Sequence, residues 1–283
     1  MTLALLVLLK ITVTTIIFGI GLDSTLHDAV RLFRQPALLL RSLLAMYVLV
    51  PLAAVGLVIL LPLPAGAEAG LLVLAVSSGA PLLPRKLLGI GDGAYTFSLV
   101  VVSSVLAVIL VPFWLEMLGP LFPRLPRLEP ERTALVLGES FFLPLLAGMA
   151  VRRFFPKLAA WTGGRVVGLA GLAMTLAAVV LLAVNWHVVL EVKWQGVAAL
   201  ALLILMALVI GHLVGGPQEE NRSALAIACA TRHIGVAVAV ATSLPGGRVA
   251  VVISIYIAIS VAITLPYMRW RRMVAARQAA TLK

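Results

Sequence analysis

Residues Gln218–Pro245 read QEENRSALAIACATRHIGVAVAVATSLP, and this stretch decides what kind of molecule the chain builds. It is apolar enough to cross a bilayer, yet Arg232 and His233 stand in its middle with Gly235 just beyond. A charge at the centre of a membrane span costs at least about 2.5–3.5 kcal/mol and therefore faces a cavity or a partner. Arg232 lies about ten residues, or roughly 15 Å, from either end, too far for its head to reach the water. The plain alternative is a continuous helix with a snorkelling arginine. The preferred reading is a helix interrupted at mid-membrane, loosened at Gly235, of the sort that secondary transporters use for substrate and ion sites.

The rest of the chain fits that reading. Of 283 residues, 62% are hydrophobic, and the mean hydropathy is +1.13. Soluble domains average about 45–50% apolar residues, so this composition excludes a water-soluble globule. Apolar runs near 20 residues recur without the alternation of a β-barrel strand, which predicts an all-α polytopic membrane protein with about nine transmembrane helices. The net charge of +11 reads as basic loops of a membrane protein rather than nucleic-acid binding. The single cysteine, Cys229, excludes an internal disulfide. The four scattered histidines offer no metal-ligand spacing, and no phosphate loop or nucleophile with a positioned base is present, so the reading is not an enzyme. No cofactor is expected. The partners are the lipid bilayer and a small-molecule organic anion.

The expected spans begin with 3–22, read as a retained helix because no cleavage signal follows it, and with 36–61, entered through Pro36. A third stretch near 67–90 carries Gly79, Pro81 and Pro84 and reads as a second broken helix, because each proline removes a backbone hydrogen bond. Further spans fall at 93–118, 133–153, 165–186, 194–214, 218–245 and 248–267, and a short basic tail at 268–283. The chain thus reads as one transmembrane domain. Loop cations set its orientation: Arg31, Arg34, Arg85, Lys86, Arg152, Arg153, Lys157, Arg165, Arg222, Arg269, Arg271, Arg272, Arg277 and Lys283 share one side against Arg124, Arg127, Arg132, Lys193 and Arg248 on the other, and leaving out Arg85 and Lys86 does not change the bias. The larger group is the cytoplasmic one, which puts the N-terminus outside and the C-terminus inside, as expected for a bacterial inner-membrane protein. Trp161, Trp186, Trp194 and Trp270 fall near the membrane edges.

The two interrupted spans are five apart in order, so they cross in opposite directions, the pattern of an inverted repeat with two broken crossing helices. At this point the chain resembles the bile acid:sodium symporter family of secondary carriers over nearly its whole length. The resemblance rests on Phe18–Leu22 (FGIGL), Ser78-Gly79 with Gly91-Asp92, Ser103-Ser104 with Pro112, Phe141–Met149 (FFLPLLAGM), Asn221-Arg222-Ser223 and Arg232–Ala237. It implies a core domain holding the crossed helices, a panel domain, and alternating access to a crevice between them. It also implies sodium-site positions at Ala228, Arg232 and His233 in the second break, at Leu82 and Leu83 in the first, and at Thr96 and Val100 on the following helix. Here the chain departs from the family pattern. Of these, only Thr96 retains the oxygen a sodium ion needs, and Arg232 is a cation.

The expectation is therefore an organic-anion carrier without classical sodium coupling. Arg232 would serve as a fixed positive charge, and Arg232, His233, Arg85, Lys86, Thr96, Gly79 and Thr231 would line the substrate site. Arg85 and Lys86 have a second reading as the cytoplasmic end of their helix. His233 is the proton candidate. Glu139 is the candidate ion-pair partner of Arg232, Lys10 or Arg41. Two alternatives stand beside this: a sodium-coupled symporter, and a membrane sensor or scaffold that keeps the fold without transporting.

Overall fold

The computed structural model describes residues 2–23, 32–78, 93–122, 138–242 and 248–281, with residues 131 and 135. Every regular element among them is helical. The helices are α1 (Thr2–Asp23), α2 (Pro36–Leu60), α3 (Ala65–Val76), α4 (Gly93–Leu118), α5 (Leu143–Phe154, preceded by a wide turn at Gly138–Phe142), α6 (Pro156–Val184), the short α7 (Trp186–Glu191), α8 (Lys193–Val214), α9 (Glu219–Thr231), α10 (Ile234–Thr242) and α11 (Arg248–Thr281). Five segments, in α2, α4, α6, α8 and α11, are long and apolar enough to cross a bilayer. The bundle is that of a polytopic membrane protein.

The helices sort into two packed groups. α1, α5 and α6 pack mainly on one another. The α1–α5 crossing is a contact of backbones: a Cβ on Gly148 would collide with the Phe18 carbonyl, and one on Gly21 with the Leu145 carbonyl. Small residues are what let membrane helices approach so closely. The second group gathers α2, α3, α4 and α8–α11, with α3 buried on every side and Gly70 pressed against Val252 of α11. The groups meet where α1 touches α10, where α6 touches α11, and where the Gly138–Phe142 turn touches α4.

Inside this bundle, hydroxyls are satisfied by carbonyls one turn back, as in Ser42 to Leu38 (2.7 Å) and Thr264 to Ser260 (2.6 Å). Proline frees carbonyls where they are used. In α2 the Val50 N–H reaches back to Ala45 instead of Met46, through a wide turn at Ala45–Leu49, and Pro51 has no N–H to offer. Met46 and Tyr47 therefore present bare carbonyls. Trp114 Nε1 donates to that of Tyr47 at 2.9 Å, and the carbonyl of Met46 serves the site described next.

Two boundaries differ from the sequence expectation. α11 runs on to Thr281 where a tail was expected from 268; Ala, Arg and Gln there are strong helix formers and nothing stops the helix. The break in the second interrupted helix falls at Arg232, ahead of Gly235, which lies inside α10. Trp161, Trp186, Trp194 and Trp270 are exposed, as an interfacial belt requires.

Candidate functional site

The interrupted helix is anchored at its break. Arg232 follows α9 with φ +48, a left-handed conformation that an L-residue bearing a Cβ holds only under constraint. The constraint is visible. Arg232 is 1% exposed, its Nε donates to the Leu74 carbonyl (3.0 Å), its Nη1 to the Met46 carbonyl (3.3 Å) and its Nη2 to Ser78 Oγ (3.1 Å). Ser78 Oγ in turn donates to the Met46 carbonyl at 2.6 Å. Beside it the His233 N–H donates to the Ser77 carbonyl at 2.8 Å, so the break after α9 is bonded directly to the end of α3.

The electrostatics follow from helix polarity. Leu74 lies in the last turn of α3, and Arg232 caps the last turn of α9. The negative ends of two half-helices converge on one point, which favours a cation there. In this chain that cation is the guanidinium itself, and no carboxylate forms an ion pair with it among the described residues. From the far side Tyr256 of α11 donates to the Ala230 carbonyl (2.6 Å), one of the orphan carbonyls at the end of α9.

His233 is fully buried. Its Nδ1 accepts the Val236 N–H at 3.3 Å, and its Nε2 lies 3.4 Å from Ser104 Oγ of α4. That pattern assigns the neutral ring with its proton on Nε2. Thr96 and Val100, both 1% exposed, lie at one-turn spacing before Ser104 on α4. Ala228 is fully buried one turn before the break, and Thr231 spends its hydroxyl on the Ile227 carbonyl (2.7 Å). α3 ends at Val76, three residues before Gly79. Gly79, Leu82, Leu83, Arg85 and Lys86 lie outside the described residues.

Glu139 departs from expectation. It is exposed in the turn before α5, beside Thr14, Thr15 and Phe18 of α1, and makes no ion pair with a described residue. Arg232 meets carbonyls instead, because the chain ends that face it are acceptors, and Arg41 and Lys10 are exposed. The sequence reading missed Met46, Leu74, Ser77 and Tyr256 as parts of the site. Three of these act through backbone carbonyls and carry no side-chain signal; Pro51, which bares Met46, was the available hint.

The family model described as the sodium bile acid symporter family matches residues 10–192, a span that ends before α9. An uncharacterized sodium-dependent transporter of Bacillus subtilis (strain 168), YocS, is 25% identical over 240 residues, covering 81% of this chain and 71% of that protein.

Proposed function

The chain belongs to the sodium bile acid symporter family, and from that premise we propose that it is a carrier of an organic anion whose cycle runs without a sodium ion at the crossover. The observation that carries this is the Arg232 guanidinium, buried among the carbonyls of Leu74 and Met46. It supplies, covalently, the positive charge that two converging helix ends call for. With its donors committed to the protein, Arg232 acts on substrate through its field and through the rigidity it gives the crossover. His233, held between Ser104 and the Val236 N–H, keeps the second half-helix in register, and Thr96 is the retained hydroxyl on the neighbouring face. Motion of the α1–α5–α6 group against the other would open the crevice alternately to each side, with the C-terminus cytoplasmic.

Proteoliposome uptake tests this. Labelled organic anions, screened as a panel, should enter equally with sodium, potassium or choline outside at one ionic strength. Accumulation driven by a sodium gradient would refute the uncoupled cycle. The name of the B. subtilis relative favours that second reading, a sodium-coupled symporter, and the same assay decides between them.

A further inference from the structure

A second arginine cluster, remote from the crossover, lies where the α8–α9 turn meets α2 and α11. α8 ends at Val214, Gly215-Gly216-Pro217 reverses the chain, and α9 begins at Glu219. Gly216 has φ +88, and its carbonyl accepts Arg222 Nε at 2.6 Å. Arg41, in the second turn of α2, lays its guanidinium over the same glycine: a Cβ at Gly216 would stand 2.9 Å from Arg41 Nη1. Two guanidinium groups thus flank one residue that has no side chain.

Their charge is not balanced locally. Glu219 is shared, pairing with Arg222 Nη1 at 3.2 Å and with Arg271, which also donates to Ser223 Oγ at 2.8 Å. Glu220, next in the chain, is exposed and pairs with no described residue. Arg41 is exposed, and its side chain makes no hydrogen bond or ion pair with a described residue. The open fork of Arg41, beside Arg222 Nη2, the end of that side chain with no described partner, suits an oxyanion held by both arginines. Basic pockets between membrane helices take lipid headgroups in this way.

We propose that Arg41 and Arg222, on either side of Gly216, form a phosphate-binding site whose occupant is the headgroup of an anionic phospholipid. Bound there, the lipid bridges α2 to the turn that leads into the interrupted helix. The test uses the full chain in neutral detergent with about 0.3 M potassium chloride, where the Debye length shortens to about 6 Å and diffuse attraction is screened. Phosphatidylglycerol should raise the melting temperature saturably, phosphatidylcholine should not, and native mass spectrometry should retain the phosphatidylglycerol. Arg41→Gln and Arg222→Gln should each raise the half-saturating lipid concentration about tenfold, as loss of a charge-assisted hydrogen bond does. A double change, Arg269→Gln with Arg272→Gln, removes charge elsewhere at the same end of the bundle and should leave the titration unchanged. Equal effects of the two lipids, or a double variant as impaired as Arg41→Gln, would overturn the site. A separate arm adds inorganic phosphate without lipid. If phosphate alone reproduces the rise and its dependence on Arg41, the lipid assignment fails in favour of a soluble phosphate.

Discussion

Replacing Arg232 with glutamine removes the cation buried at the break after α9, the only one there among the described residues, and shortens the side chain that ties α9 to α3 and α2. Three acceptors lose one charged donor each, the Leu74 and Met46 carbonyls and Ser78 Oγ, while the Ser77 N–H stays on Leu74 and Ser78 Oγ stays on Met46. Each charge-assisted hydrogen bond lost costs about 1.5–3 kcal/mol, and the release of a desolvated charge returns part of that sum. The expected net loss is about 2–4 kcal/mol, because only neutral acceptors, and no unpaired charge, are left behind. Sodium response is the more telling readout. In the native chain a sodium ion about 4 Å from the guanidinium meets roughly 4 kcal/mol of repulsion at an effective dielectric of about 20. That weakens a site of about 1 mM affinity to about 1 M, so about 100 mM sodium adds less than about 0.1 kcal/mol. In Arg232→Gln the two helix ends still converge and the repulsion is gone, so the same sodium concentration can restore up to about 2.7 kcal/mol. The assay is melting of purified protein in detergent, sodium against choline at matched ionic strength. The reasoning fails if Arg232→Gln melts with the native chain in choline, or if the native chain itself shows a saturable sodium-specific rise.

Tyr256→Phe deletes the shorter of two donors to the Ala230 carbonyl, leaving Ser260 Oγ at 3.5 Å, and should lower stability by about 0.5–1.5 kcal/mol, measured by the same melts, with no change in sodium response. Gly148→Val puts a side chain into the Phe18 carbonyl and should cost at least about 1–3 kcal/mol, read as lost monodisperse yield and a lower melting temperature. Ser104→Ala removes a long 3.4 Å contact to His233 and should change stability by less than about 1 kcal/mol; a larger loss would mean that His233 depends on α4 more than the geometry indicates. A reporter fused after Lys283 that is active only in the cytoplasm should be active, as the distribution of loop cations requires.

The membrane class and the interrupted helix at Gln218–Pro245 were legible because burying Arg232 in an apolar run is too costly to be incidental. The position of the break was not. Glycine is the residue that prefers positive φ, so Gly235 drew the expectation, whereas tertiary hydrogen bonds hold Arg232 there against its intrinsic preference. The partners of Arg232 were hidden for a related reason: every residue carries a carbonyl, and only the wide turn and Pro51 single out that of Met46. Glu139 misled through its charge alone; its place in the turn before α5 keeps it at the surface. The extension of α11 to Thr281 was obscured by its arginines, which read as loop although they favour helix.

A cation bonded into the backbone never leaves with the cargo. In the proposed cycle, whatever distance Arg232 travels through the membrane field on one half-turn it retraces on the other, so its electrical work over a full turn is zero. The charge moved per turnover is then that of the substrate alone. For a monovalent anion across an interior-negative membrane of about 100 mV, that is about 2.3 kcal/mol in favour of exit. Such a carrier, left to the potential, empties the cell of its substrate unless the concentration outside exceeds that inside by roughly fiftyfold.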